Sequence, residues 1–384
     1  MNKVICMSTS NFRPFPTRKQ QVMTRLKNAE ILYFDPPISI IAPLKDPSMK
    51  PKLTAYKNKP DKPQKNISVY SLPPVLPFYN RFRIINRINQ IRISRFVRKK
   101  ANEHGFDDPV LWMYSPTYCD LVKRVPHKAA IYDCVDRHSG YKGQITPEVV
   151  DKMEQDLAKS CNTVFSTAVG LYETLKGYND DTHLIPNGAN YELFSESRRV
   201  DLAVPEDISD LEGPIIGFIG TLQECIDYDV IEKVARERPN YKIVFVGKEP
   251  PGVDVGALRE LPNVRFCGLK QPQELPAYLA HFNVCINPFK SGRLSKDVSP
   301  LKFYEYLATG KPIVSTPQPD QVMDYKDVVY IADGGDEFVR ACDEALAEQG
   351  FELREKRVKY AQGCSWDSRV EQMETILKER KILD

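Results

Sequence analysis

The chain has 384 residues, of which 27% are charged and 42% hydrophobic, and a formal net charge of +3. Its length exceeds one ordinary domain and suits two of about 190 residues, each able to bury its own core. The nine scattered cysteines and five histidines lack the spacing of a disulfide framework or a zinc cluster, and no apolar run reaches the about 18 residues of a membrane-spanning helix.

Short apolar runs alternate with helical patterns along the chain, which predicts parallel sheets covered by helices on both faces. In the first half we predict strands at 4–7, 31–34, 67–71, 110–114, 129–133, 163–166 and 183–185, and helices at 19–26, 81–104, 147–159 and 170–177. These elements form one doubly wound domain, placed at 1–194.

The second half repeats this plan. We predict strands at 215–219, 242–246, 264–266, 284–287, 313–315 and 328–331, and helices at 229–238, 272–280, 300–309 and 336–348. A polar, acidic linker is placed at 195–213, the second domain at 214–365 and a final helix within 366–384. The predicted class is therefore α/β, with two Rossmann-like domains facing across a cleft, and ligands are expected at the C-terminal ends of the strands.

Positive charge is concentrated near the amino terminus. Residues 1–100 hold 21 Lys and Arg against 4 Asp and Glu, and segment 80–100 holds eight positive and no negative side chains. On a helical wheel four isoleucines share one face: Ile84, Ile85, Ile88 and Ile91. We predict that the basic region 81–100 docks on an anionic membrane surface. The alternative is a helix whose isoleucines pack on the sheet, and both can hold together.

The amino terminus has the pattern of a strand and not of a signal peptide. We therefore expect a cytoplasmic protein, peripheral on the inner face of the cell membrane. Nucleic acid is not expected as a partner, because no recognised binding module accompanies the basic region.

Segment 132–140 places two acids and a histidine at the C-terminal end of a predicted strand: Asp133, Asp136 and His138. A carboxylate or imidazole in a partly desolvated cleft is suited to accept a proton from a hydroxyl group. We select Asp136 as the catalytic base. Asp133 is a second candidate with a structural alternative, and His138 is a candidate contact of the donor sugar. The plainer alternative is that these acids cap loop N–H groups.

The boundaries of the predicted helix 300–309 are marked by three residues. Ser299 suits the N-cap, Pro300 the first helical position and Gly310 the left-handed residue after the end. The first backbone N–H groups of this helix have no partner within the helix.

The start of this helix predicts an anion site. The N–H groups near Leu301 and Lys302 and the Lys302 charge suit a diphosphate. Glu305, three residues further, is placed to accept hydrogen bonds from two vicinal hydroxyls. The combination suits a nucleotide. The alternative is an amphipathic helix with Lys302 and Glu305 as a surface ion pair.

Four further residues are candidate ligand contacts. Gly220 and Thr221 end a buried strand where the missing Cβ allows close approach of a ligand. Lys248 ends the neighbouring strand, and Arg293 precedes the helix in a Gly-containing loop; the alternative for both is a solvated surface charge. No Gly-x-Gly-x-x-Gly or Gly-x4-Gly-Lys-Ser/Thr motif occurs, which argues against a nicotinamide dehydrogenase and a P-loop kinase.

Asp297, seven residues, Glu305 and then Gly-Lys-Pro-Ile-Val at 310–314 resemble the nucleotide-sugar signature of GT-B glycosyltransferases. The likeness is to the large group with bacterial polysaccharide and lipid glycosyltransferases. Many members carry Glu at the first position, where this chain has Asp297. In retaining members that acid lies close to the donor sugar, so Asp297 joins the catalytic candidates and the stereochemical class stays open.

Other segments are similar to the same family. The turn at 220–221 matches the loop that faces the donor diphosphate, and the Phe-x-Gly turn places Gly268 and Leu269 against the nucleotide base. Asp136 resembles the acid of relatives whose strand reads Tyr-Asp-x-x-Asp-Asp, with Arg137 at the last position. The final helix resembles one that crosses back to the first domain.

The resemblance implies a hexosyl transferase that moves a sugar from a nucleoside diphosphate sugar, expected to be UDP-linked, to a glycan or lipid-linked glycan. Its place is cell-envelope polysaccharide synthesis. It implies no bound metal or other cofactor, because the helix dipole and cations neutralise the leaving diphosphate. Two alternatives stay open: a nucleotide-sugar 2-epimerase of the same fold and a scaffold without enzymatic activity.

Overall fold

The computed structural model describes residues 1–141, 143, 145–292 and 295–384. The chain forms two compact units. The first comprises Met1–Pro186 together with Val370–Asp384, and the second comprises Asn187–Arg369. Segment 195–213, which we predicted as a linker, lies in the second unit, where Ile208 is buried in the core.

In the described residues of the first unit, eight strands form one sheet in the order β3-β4-β2-β1-β5-β6-β7-β8. The strands are β1 (Asn2–Met7), β2 (Ala29–Asp35), β3 (Asp61–Gln64), β4 (Ile67–Ser71), β5 (Val110–Met113), β6 (Ala129–Cys134), β7 (Thr163–Ser166) and β8 (Thr182–Leu184). The helices are α1 (Arg18–Arg25), α2 (Ala42–Lys45), α3 (Arg83–Glu103), α4 (Pro147–Ser160) and α5 (Val169–Lys176). All strand pairs are parallel except β3 with β4.

The second unit has a six-stranded parallel sheet among its described residues, in the order β11-β10-β9-β12-β13-β14. Its strands are β9 (Ile215–Ile219), β10 (Lys242–Val246), β11 (Val264–Phe266), β12 (Val284–Asn287), β13 (Ile313–Ser315) and β14 (Tyr330–Ile331). Its helices are α6 (Tyr191–Ser195), α7 (Tyr228–Glu237), α8 (Gly256–Arg259), α9 (Leu275–His281), α10 (Leu301–Thr309), α11 (Gly335–Leu346) and α12 (Glu352–Gly363). The predicted α/β class is confirmed.

The last helix, α13 (Trp366–Glu379), begins in the second unit and continues into the first. Its side chains Val370, Met373 and Leu377 are buried in the same apolar cluster as Trp112 of β5. This burial explains why the carboxyl-terminal residues belong to the first unit, since apolar surface removed from water stabilises by about 25 cal/mol per Å².

Helix α3 differs from its prediction in which face it buries. Its first turns bury Asn86, Asn89 and Gln90, whereas Ile84 is 62% and Ile88 is 48% exposed. The expectation that these isoleucines pack on the sheet is therefore wrong. The physical reason is that this part of α3 borders a polar cavity of the first unit.

Candidate active site

The turns that follow β9, β10 and β11 are joined by backbone hydrogen bonds. The Gly220 N–H donates to Val246 O at 2.9 Å, and the Gly247 N–H donates to Gly268 O at 2.8 Å. Because parallel strands end at the same edge of a sheet, these turns form one surface. We call the three turns and the first turn of α10 the strand-end surface.

Glycine is required at two positions of this surface. Gly220 has φ of +143°, a conformation that side chains rarely adopt. A Cβ on Gly247 would lie 1.8 Å from the Gly220 carbonyl oxygen. Gly220 was predicted from the sequence and Gly247 was not, although Gly247 also is a glycine directly after a buried strand, β10.

The other predicted residues of these turns lie at their ends. Thr221, Lys248, Gly268 and Leu269 are all exposed, and Leu269 is 56% exposed. Their backbone is thus accessible from solvent at the strand-end surface. Arg293 lies outside the described residues.

Helix α10 begins one residue later than predicted. Its first helical residue is Leu301 and its N-cap is Pro300, with no capping side chain. Ser299 is not the cap, because its hydroxyl accepts the Asn187 N–H at 3.0 Å. The predicted end is confirmed, since Gly310 adopts φ of +73°. The first N–H groups of α10 therefore receive no side-chain cap.

Lys302 and Glu305 form an ion pair at the start of α10. The Lys302 Nζ lies 2.9 Å from Glu305 Oε2, and the side chains are 31% and 8% exposed, respectively. Burial raises the pKa of Glu305, and the Lys302 charge acts in the opposite direction. A surface ion pair, our alternative, does not describe a carboxylate this deeply buried.

The ion pair lies next to the turn after β9. A Cβ on Gly220 would be 3.5 Å from Lys302 Cγ. The Tyr306 hydroxyl accepts the Ile219 N–H at 2.8 Å and donates to Ile219 O at 3.3 Å, which holds α10 against the end of β9. Asp297 ends the short 3₁₀ segment Ser295–Asp297 and is half-buried.

In the first unit, Asp133 is fully buried with Arg18. The Arg18 Nε lies 3.0 and 3.1 Å from the two carboxylate oxygens, and Arg18 also donates to Pro186 O at 3.0 Å. Both side chains are at most 1% exposed. This arrangement matches the structural alternative for Asp133, because the carboxylate is engaged and shielded from solvent.

Asp136 and His138 instead line a cavity of about 350 Å³, which we call the first-unit cavity. The Tyr141 hydroxyl donates to Asp136 Oδ2 at 2.8 Å. Burial lowers the pKa of His138 to about 4, although the Asp136 carboxylate acts in the opposite direction. The imidazole is therefore neutral at pH 7. Lys19 lines the same cavity and was missed, because its burial depends on distant segments.

Within the described residues, no group of three or more His, Cys, Asp or Glu side chains is placed to hold a metal ion. None of the helices that the structure describes is long and apolar enough to span a bilayer.

Comparisons with known proteins support the predicted relationship. Residues 213–348 match the family described as glycosyl transferases group 1. A relative from Bacillus subtilis (strain 168), the putative teichuronic acid biosynthesis glycosyltransferase TuaH, is 28% identical over 275 residues, which cover 67% of this chain and 68% of that protein.

Solved structures share the fold over nearly the whole chain. Sucrose-phosphate synthase from Thermosynechococcus elongatus has a TM-score of 0.72 at 12% identity, covering 99% of both chains. A structure titled trehalose-6-phosphate from E. coli bound with UDP-2-fluoro glucose has a TM-score of 0.70 at 12% identity, covering 98% of this chain and 99% of that one. The chain is a glycosyltransferase with the GT-B fold, and its match to the glycosyl transferases group 1 family lies within the second unit, at residues 213–348.

Proposed function

We propose that the chain transfers a sugar from a UDP-sugar to a glycan or lipid-linked glycan acceptor in cell-envelope polysaccharide synthesis. The donor part rests on one observation: the uncapped start of α10 lies beside Gly220 and carries Lys302 paired with buried Glu305. The solved neighbour bound with UDP-2-fluoro glucose and the relative named for teichuronic acid biosynthesis support this choice.

In this proposal the diphosphate binds at the start of α10. The N–H groups of Leu301 and Lys302 point along the helix axis, where the macrodipole adds partial positive charge. The Lys302 ammonium adds a full charge. Ser299 lies at the same end of the helix, where it shapes the entry of the chain through its bond to Asn187.

The nucleoside binds along the strand-end surface. The Glu305 carboxylate is proposed to accept hydrogen bonds from the ribose hydroxyls; burial raises its pKa, and the Lys302 charge opposes that rise. The turn at Gly268 and Leu269 contacts the base. Thr221 and Lys248 are proposed as further contacts of the phosphates.

The leaving group is a nucleoside diphosphate, whose developing negative charge must be neutralised. We propose that Lys302 and the helix dipole do this without a bound metal or other cofactor. Arg293, which precedes α10 in the sequence, remains a proposed additional phosphate contact.

The first-unit cavity supplies the acceptor chemistry in this proposal. Asp136 takes the proton from the attacking hydroxyl, and His138, neutral at pH 7, serves as a hydrogen-bonding contact of the sugar. Asp297 is the candidate contact of the donor sugar in a retaining reaction. The anomeric configuration of the product, measured by NMR, distinguishes these roles. Inversion supports Asp136 as the base, and retention supports Asp297 as the acid that contacts the donor sugar.

The exposed face of α3 is proposed to dock on the inner surface of the cell membrane. Ile84 and Ile88 stand exposed beside Arg81, Arg87 and Phe82, which are exposed as well. Apolar side chains enter the headgroup region, while each basic residue contributes about 1 kcal/mol on an anionic surface.

Sedimentation with vesicles tests the docking. The protein should sediment with vesicles of phosphatidylglycerol and phosphatidylcholine but not with phosphatidylcholine alone. The double variant Ile84→Ser and Ile88→Ser should lose this binding and keep its melting temperature, because both side chains are exposed. Unchanged sedimentation of the double variant would show that α3 does not touch lipid.

A panel of nucleotides tests the donor assignment. UDP should raise the melting temperature more than ADP or GDP, since a ligand of the native state stabilises it by mass action. A UDP-sugar incubated alone should give no epimer. Equal stabilisation by all three nucleotides, or none by UDP, would remove the basis of the donor assignment.

A further inference from the structure

The first-unit cavity contains a buried ammonium group that has no counter-ion among the described residues. Lys19 is 7% exposed and lines this cavity. Its Nζ makes no hydrogen bond or ion pair with the residues that the structure describes, and its recorded contact is the Tyr114 ring, 5.9 Å from Nζ to the centroid. Burying an unpaired charge is costly, so such groups normally meet a partner.

Neighbouring acids do not supply that partner. Asp133 is engaged through both oxygens by Arg18. The Asp133 carboxylate is therefore held by Arg18 and does not contact Lys19. Asp136 is exposed and accepts a hydrogen bond from Tyr141. Burial lowers the pKa of Lys19, and Asp136 opposes this shift without contacting the ammonium.

Two further polar atoms of the cavity have no hydrogen-bond partner among the described residues. Gln90 is 2% exposed, and its Oε1 has no hydrogen bond within the described residues, whereas its Nε2 donates to Asn86 Oδ1 at 3.3 Å. The buried His138 Nε2 is also without a partner in the described part of the chain. A ligand with several hydroxyl groups satisfies both atoms, since buried polar groups are normally hydrogen-bonded.

We propose that the first-unit cavity binds a pyranose that carries a carboxylate or phosphate, with Lys19 pairing with the anionic group and Gln90 Oε1 accepting a hydroxyl of the ring. This inference rests on the proposed function, because it makes the acceptor an acidic sugar. The cavity volume of about 350 Å³ lies within the range of small-ligand sites. Asp136 and Lys19 both line this cavity, so the proposal assigns the attacking hydroxyl to the carboxylate and the anionic group to the ammonium.

Titration calorimetry on the full chain, with and without UDP, tests the proposal with three probes: glucose, glucuronate and glucose 6-phosphate. At least one acidic sugar should bind about ten-fold more tightly than glucose, and the preferred one identifies the anion as carboxylate or phosphate. Inorganic phosphate is a fourth probe. If it binds as tightly as glucose 6-phosphate and glucuronate shows no preference over glucose, the pyranose part of the proposal is overturned.

Three variants locate the interaction. Lys19→Met should reduce the preference for the acidic sugar to about two-fold or less, and Lys19→Arg should retain most of it. Gln90→Leu should weaken glucose and acidic sugars alike. Lys27→Met is the matched control, because Lys27 is exposed and close in sequence. If Lys19→Met does not fold, Lys19→Gln is measured in its place.

Two results overturn the proposal. One is that glucose binds as tightly as both acidic sugars, and the other is that the preference survives in the Lys19 variant. UDP binding measured on the same preparations separates this failure from failure of the donor assignment, which would lose UDP binding itself.

Discussion

Replacing Lys302 with methionine tests how the strand-end surface binds a diphosphate. The substitution removes the positive charge and keeps most of the aliphatic chain that lies against Gly220. In the unsubstituted chain the Lys302 Nζ lies 2.9 Å from Glu305 Oε2, and 31% of the lysine side chain is exposed. A bound diphosphate would share this ammonium with Glu305.

The expected loss of UDP binding free energy follows from the partial exposure of Lys302 and from its pairing with Glu305. A hydrogen bond to a charged group contributes about 1.5–3 kcal/mol, and partial exposure and sharing with Glu305 place the Lys302 contribution near the middle of that range. A loss of about 2 kcal/mol corresponds to a dissociation constant for UDP about 30-fold higher.

Titration calorimetry with UDP measures this change directly. Lys296→Met is the matched control, because Lys296 is an exposed lysine in the 3₁₀ segment just before α10. It removes the same charge from the same region and should leave the dissociation constant within about two-fold of the unsubstituted chain.

If Lys302→Met binds UDP as tightly as the unsubstituted chain, Lys302 does not bind the diphosphate. If Lys296→Met loses as much affinity, the lysines attract the nucleotide only through their general positive charge, and the assignment of Lys302 is equally refuted. Melting temperatures of both variants must stay close to that of the parent, so that lost binding is not mistaken for lost folding.

Glu305→Gln should weaken UDP about ten-fold and should not weaken pyrophosphate in calorimetry, since the carboxylate is assigned to ribose hydroxyls and its removal frees the Lys302 ammonium for the phosphates; an equal loss for both ligands would contradict that assignment. Asp133→Asn leaves buried Arg18 unpaired and should lower the free energy of unfolding in urea by about 3–5 kcal/mol. Asp136→Asn should lower kcat by about 100-fold or more with little change in unfolding, and full activity would refute its role as base. The folded-state pKa of His138 is about 4 against 6.5 when unfolded, so the unfolded chain takes up a proton first and stability falls as pH drops through that window. His138→Gln should remove up to about 3 kcal/mol of that fall in unfolding titrations at successive pH values, and an unchanged pH profile would contradict the burial of this imidazole.

Local patterns in the sequence predicted most strands and the site helix, because each depends on nearby residues. Short apolar runs between helical patterns predicted β9 and β10. Gly310, as the left-handed residue after the helix, predicted the end of α10 at the correct residue. Even there the start was displaced by one residue, since Ser299 uses its hydroxyl for the Asn187 N–H, 112 residues away in sequence.

The functional properties of the first unit depended on tertiary contacts. The helical wheel of α3 grouped its isoleucines on one face but did not indicate which face borders a polar cavity. In the structure Gln90 is buried and Ile84 is exposed. Asp133 and its partner Arg18 are 115 residues apart.

The sequence by itself determined the α/β class, the order of the main elements and the residues at the start of α10, because periodicity, capping and glycine conformation act over a few residues. The tertiary structure alone decided that Gly247 must lack a side chain, that Asp133 pairs with Arg18 and that Lys19 is buried with no counter-ion in the described part of the chain. These properties arise from burial and electrostatics, which depend on segments brought together from distant parts of the chain.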